Sequence, residues 1–149
     1  MITAQIESFT EMLEELKPLL PLHWEELGLN KDSVPLDPMF ETYIAREAQG
    51  EVIFTTLRDD GELIGYFIGF ITPGLHYRTC LTCIMDIFYV VQDKRGRKGG
   101  FTLFAEVKKE LQRRGVQRWF VGEKLHKPCD QFFNALGFEP VERTHSMML

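Results

Sequence analysis

The chain has 149 residues, 44% of them hydrophobic and 26% charged, with a formal net charge of −5. That length suits one domain, spanning 1–149, that buries about two-thirds of its unfolded surface, and the composition excludes a disordered or fibrous chain. No apolar run approaches the ~20 residues of a membrane helix, and the opening MITAQIE has neither a basic nor an apolar leader region, so a cytoplasmic protein with no membrane partner is expected.

Residues 5–27 read as helical, with Ile6, Phe9, Leu13, Leu16 and Leu20 as the apolar stripe. Pro18 and Pro21 interrupt that stretch, and Pro21 can open a second short helix carrying His23, Trp24, Glu25 and Glu26. After a loop from Gly28, Asp37 is placed to cap a helix through Phe40, Tyr43, Ile44 and Ala48 that stops at Gly50. Strand signals follow: Glu51 to Leu57, a hairpin turn at Asp59-Asp60-Gly61, Glu62 to Thr72, and Arg78 to Val91. A glycine-rich loop then leads into a helix from about Gly100 to Arg114, with Phe101, Phe104, Val107 and Leu111 inside and Lys108, Lys109, Arg113 and Arg114 facing water. Gln117 to Gly122 reads as a short strand. Pro128 opens a last helix, and the alternating tail from Phe138 to Met148 reads as a strand. The order predicts an α+β domain with a mixed sheet.

Charge is unevenly spread. Between Gln92 and Lys127 eleven Lys/Arg face four Asp/Glu, whereas the remainder carries six against eighteen. The basic segment includes Arg95-Gly96-Arg97-Lys98-Gly99-Gly100, set between a strand and a helix. There, unpaired backbone N–H groups and the positive helix end meet three side-chain cations, and a pyrophosphate is the natural guest. The pattern is neither G-x-G-x-x-G nor a Walker loop. The basic helix alone, without interleaved aromatics in an acidic domain, does not predict a nucleic-acid partner. Cys80 and Cys83 form a C-x-x-C on a strand, where residues three apart face opposite ways, and no second ligand pair has metal spacing; two plain thiols and no metal are expected.

The run Asp86-Ile87-Phe88-Tyr89-Val90-Val91-Gln92-Asp93-Lys94-Arg95-Gly96-Arg97-Lys98-Gly99-Gly100 resembles the central motif of the GCN5-related N-acetyltransferase (GNAT) family, a strand like E-x-x-Y-V followed by Q/R-x-x-G-x-G/A. Phe132-Phe133-Asn134-Ala135-Leu136-Gly137-Phe138 resembles its F-Y-x-x-L-G-F block, and His76-Tyr77-Arg78 is similar to members carried by bacteriophages. The resemblance implies an α/β/α sandwich around a mostly antiparallel sheet. It implies acetyl-CoA as acyl donor, an amine acceptor, direct attack in a ternary complex, and room for a homodimer. Phe88, Tyr89 and Val90 would border the pantetheine arm, and Arg95, Gly96, Arg97, Lys98, Gly99, Gly100 and Phe101 the pyrophosphate. Asp86 matches the position of a general base in several members, acting through a water; the other reading is a structural aspartate pairing a backbone group or an arginine.

Two departures stand out. Lys98 replaces the first glycine of the loop motif, and Phe133 replaces the usual acid tyrosine. A thiol of pKa ~8.5 leaves acceptably without an acid, so Phe133 points to a slower or differently assisted enzyme, with His126 and Tyr89 as substitutes. Cys129, near a helix N-terminus, is a lesser candidate nucleophile. His23, Glu25, Glu26, His76 and Tyr77 are candidates to face the acceptor. The alternative function is a weak or inactive GNAT-fold module that binds CoA or serves a regulatory or virion-associated role.

Overall fold

The computed structural model describes Met1–Leu149, and in it the meander read from Glu51 onward forms. β2 (Val52–Asp59), β3 (Glu62–Gly74) and β4 (Tyr77–Val90) pair antiparallel in succession. Asp60 and Gly61, with φ of 49° and 91°, make the hairpin between the first two; two successive positive φ values match the twist of the flanking strands. β1 (Ile2–Ile6) lies antiparallel outside β2, and β5 (Arg118–Phe120) lies parallel outside β4, giving the order β1-β2-β3-β4-β5.

Residues 5 and 6, read as the start of the first helix, thus belong to a strand that begins at Ile2. Ile6 fits both a period of 2 and a period of 3.6; pairing of Ile2 to Ile6 against Asp59 to Thr55 decides for the strand. The helix α1 (Phe9–Leu16) begins only at a cap: Ser8 Oγ accepts from Glu11 N at 3.2 Å. Its other first-turn donors reach across to α3 (Phe40–Ala48), where the Glu47 carboxylate accepts from Phe9 N (2.6 Å) and Thr10 N (3.0 Å). Replacing Glu47 by Ala should lower stability by about 1–2 kcal/mol, read by urea denaturation, because it strands these donors.

α2 (Leu19–Leu27) starts right after Pro18, so Pro21 sits inside its first turn, where no intrahelical N–H is needed. α3 begins after Met39 without a side-chain cap, and Asp37 caps nothing. α4 (Gly99–Arg113) and α5 (Asp130–Ala135) follow. The tail from Glu139 to Leu149 is exposed throughout and forms no strand. Its alternation has no sheet edge to join, since β5 pairs over three residues only, and Pro140 removes a ladder donor.

Helices cover both faces of the sheet. On one side Phe104, Val107 and Leu111 of α4 and Phe133 of α5 meet Ile53, Leu57 and Phe67. On the other, Phe9, Leu16 and Leu20 of α1 and α2 meet Phe54, Tyr66, Ile68 and Tyr89. β2 and β3 therefore read as continuous apolar runs, because both of their faces are covered.

Candidate active site

β4 and β5 part company early. They pair only from Thr82 to Ile84 against Arg118 to Phe120, so β4 from Met85 to Val90 borders an open cleft. That cleft is a cavity of about 1000 Å³. Val91 N donates to Ile64 O, which sets the alternation along β3–β4: Tyr89 and Ile87 bond toward β3, and the backbone of Phe88 and Val90 points into the cleft. The Val90 carbonyl confirms the direction, since Arg95 Nε donates to it at 2.8 Å.

A bulge interrupts β4 here. Ile68 pairs with Ile87 and Gly69 with Met85, leaving Asp86 as the extra residue. An extra residue lets two neighbours share a face. Met85 packs with the α4 side of the sheet, whereas Asp86 and Ile87 both face the α1–α3 side. The half-buried Asp86 carboxylate accepts from Tyr43 Oη at 2.5 Å. Burial holds its carboxyl above the usual carboxylate range, while the Tyr43 bond and the nearby Arg46 charge pull it partly back. The structural reading of Asp86 therefore has a partner, a phenol that is itself pushed up by burial and by this bond.

At the far end of β4 the loop delivers α4 into the cleft. Thr102 N is the first amide to bond within the helix, to Lys98 O at 3.0 Å, so the Gly99, Gly100 and Phe101 amides have no intrahelical acceptor. Lys98 takes the left-handed conformation expected of glycine, with φ of 63°, and Gly96 has φ of 79°. The backbone path of the glycine motif is thus kept, at a strain of roughly 1–2 kcal/mol. Side chains at Gly99 and Gly100 would strike Leu57 Cδ2 at 2.9 Å and the Phe132 ring at 3.1 Å. Phe101, assigned to the buried stripe from sequence, is instead 45% exposed at the cleft; Leu103 takes the inner position.

The three loop cations are not equivalent. Arg95 is held by a bidentate pair to Glu26, both distances 2.6 Å, and lies over the Tyr89 ring at 5.4 Å. It straps α2 to the end of β4. Lys98 lines the cleft and has no carboxylate partner, whereas Arg97 lies outside the lining. Across the opening, Lys124 and Lys127 come together through a short turn with Lys127 N donating to Lys124 O at 2.9 Å. The local charge pointed to this segment, but not to these two residues.

His23, also in the lining, stacks on Tyr89 with ring centroids 4.9 Å apart and places Nδ1 2.7 Å from Tyr66 Oη. Burial lowers its pKa to about 4, so the ring is neutral near pH 7. Glu26 lines the cleft through its pair with Arg95, but Glu25 points away toward Lys31. His76 and Tyr77 are exposed and line neither this cavity nor its smaller neighbour.

Among the proton-donor substitutes, Tyr89 and the exposed His126 line the cleft. Phe133 does not: it is 6% exposed and packs among Phe88, Phe104 and Phe138. The neighbouring Phe132 faces the cleft instead, stacked on Phe88 with centroids 6.1 Å apart. The Cys129 thiol is held up by burial and by the Glu123 charge, which argues against a nucleophile. Cys83 is buried with a thiol pushed up to about 12, Cys80 is half-buried, and no group of three or more His, Cys, Asp or Glu gathers anywhere to hold a metal. On α4, Arg113 and Arg114 both pair with Glu110 at 2.6 and 2.8 Å, and Arg114 also donates to Val52 O. Arg114 is therefore pinned to the sheet instead of facing water.

The chain belongs to the acetyltransferase (GNAT) family, whose model matches residues 10–138. The fold is that of solved acetyltransferases at low sequence identity. A ribosomal-protein-alanine N-acetyltransferase from Brucella melitensis biovar Abortus 2308 aligns with a TM-score of 0.77 and 15% identity over 100% of this chain and 98% of the other. A GCN5-related N-acetyltransferase from Ralstonia eutropha JMP134 aligns at 0.79 and 14%, covering 99% of both chains. An aminoglycoside N-acetyltransferase, AAC(6')-Iy, solved in complex with CoA, aligns at 0.70 and 17% over 98% of both. No curated protein sequence matches significantly.

Proposed function

We propose that this protein is an acetyl-CoA-dependent N-acetyltransferase that transfers the acyl group directly to a primary amine. One observation carries the reading: a single cleft has unpartnered amides at the α4 N-terminus at one end and a half-buried carboxylate on the β4 bulge at the other. The first suits a pyrophosphate, and the second suits proton removal from an amine. Acetyl-CoA supplies the thioester. The Phe88 and Val90 backbone edge aligns an extended amide-bearing arm as an added strand would. Of the two Val90 backbone groups the carbonyl is taken by Arg95, which leaves the N–H to polarise the thioester carbonyl. Asp86 accepts the proton that an ammonium of pKa ~10.4 must lose before attack.

Acetyl-CoA at 100 times its Kd should stabilise the protein by about 2.7 kcal/mol, a rise of several degrees in Tm. Free CoA thiol should appear when amines are added. Absence of both signals would sink the reading. The second reading, a CoA-binding module without catalysis, is favoured by the burial of Phe133, which puts no hydroxyl at the usual acid position. Stabilisation by acetyl-CoA with no thiol release from any amine would establish it.

A further inference from the structure

We infer that the acceptor is a compact monoamine whose amino group is carried on an apolar, ring-sized body, bound in the small cavity between α1, α2 and α3 beside Asp86. The inference rests on the transferase reading above.

A second cavity, of about 230 Å³, adjoins the cleft and shares Leu20, Leu36, Asp86 and Ile87 with it. Because the bulge turns Asp86 toward α3, its carboxylate lies in the wall common to both spaces. A cavity of ~150 Å³ lined by Leu, Ile and Phe accommodates benzene, so this one has room for a ring and a short arm. Its volume falls below the roughly 300–1,000 Å³ of sites for drug-sized molecules. The accessible walls are apolar or aromatic, formed chiefly by Leu36, Pro38, Phe40, Tyr43 and Ile87, and Phe9, Leu16 and Ile68 lie buried beneath them, with Tyr43 stacked on Phe9 at 5.0 Å.

Polar groups are few. Asp37 and Asp86 are the only charged residues in the lining, both anionic, and the Tyr43 hydroxyl already donates to Asp86. No Ser, Thr, Asn, Gln, Lys or Arg lines it. An amino-sugar, a polyamine or a peptide would therefore strand hydroxyl, ammonium or amide groups against hydrocarbon, each at a penalty. One ammonium on an apolar body leaves nothing unmatched. It would enter past the exposed Asp37, set its body against the partly exposed rings of Phe40 and Tyr43, and present its nitrogen at Asp86.

The chemistry balances. The ammonium gives one proton to Asp86 through water, its lone pair forms the N–C bond, and the C–S bond breaks with its electron pair going to sulfur. The nitrogen then loses a second proton, and the thiolate takes up one, so one proton is released per amide formed.

The test compares 2-phenylethylamine, spermidine, neamine and an alanine-initiated hexapeptide at saturating acetyl-CoA, reading thiol release. The expected result is a kcat/KM for 2-phenylethylamine about 10²-fold above each of the others. Asp37→Asn should raise its KM several-fold with little change in kcat. Equal or better turnover of spermidine, neamine or the peptide overturns the inference and leaves the transferase reading standing. If no amine is acetylated, the transferase reading falls and binding decides the cavity: with CoA saturating, a rise in Tm with 2-phenylethylamine but not spermidine supports it, and no rise overturns it.

Discussion

Replacing Asp86 by Asn should reduce kcat for amine acetylation about 10²- to 10⁴-fold, the range lost with a positioned general base, while acetyl-CoA binding is retained. Two further readouts separate catalysis from structure. Burial raises the folded-state carboxyl pKa above its unfolded value, so the folded state binds the proton more tightly. Through the window between those values stability falls as pH rises, and at neutral pH the ionised carboxylate is a net burden on the fold. Asp86→Asn should then leave Tm unchanged or higher, with Asn still accepting from Tyr43. A purely structural Asp86 would show the reverse, a lower Tm with activity falling only as the protein unfolds. The pH profile gives the third readout. Wild-type kcat/KM should rise through an acidic limb lying above the usual carboxylate range, and the Asn variant should lack that limb.

Reversing the loop charges with Arg97→Glu and Lys98→Glu should weaken acetyl-CoA binding by at least about 10²-fold, since each charge-assisted hydrogen bond to an anion contributes ~1.5–3 kcal/mol. Nearly all of that loss should come from Lys98. It lines the cleft without a carboxylate partner, whereas Arg97 stands outside the lining and Arg95 is neutralised by Glu26. Calorimetric titration of the two single variants and the double variant checks this. Normal binding by the double variant would remove the pyrophosphate assignment altogether.

Much of the site was readable because its chemistry is local. A strand, a glycine-rich basic turn and a helix start are contiguous in the chain, and the turn from Asp60 to Gly61 and the Gly115 helix stop follow from backbone preferences of single residues. Features made by distant segments were hidden. The Glu26–Arg95 strap joins residues 69 positions apart, and the Glu47 cap on α1 spans nearly 40. Neither leaves a periodic trace. The first five strand residues were lost for a different reason: Ile6 serves either period, and only β2 as a neighbour chooses between them. The tail failed in the opposite way, with strand alternation but no edge to receive it.

By itself the sequence determined the α+β layering and the place where a basic, glycine-rich turn meets a helix start, because hydrophobic period and turn residues act over a few neighbouring residues; the family was legible only through the resemblance of two short motifs. Only the tertiary structure decided which side Asp86 faces. That depends on a one-residue bulge in the pairing of β4 with β3, and register is a property of two strands together. The same bulge places Asp86 in the wall of a second, largely apolar cavity between the first three helices and the sheet.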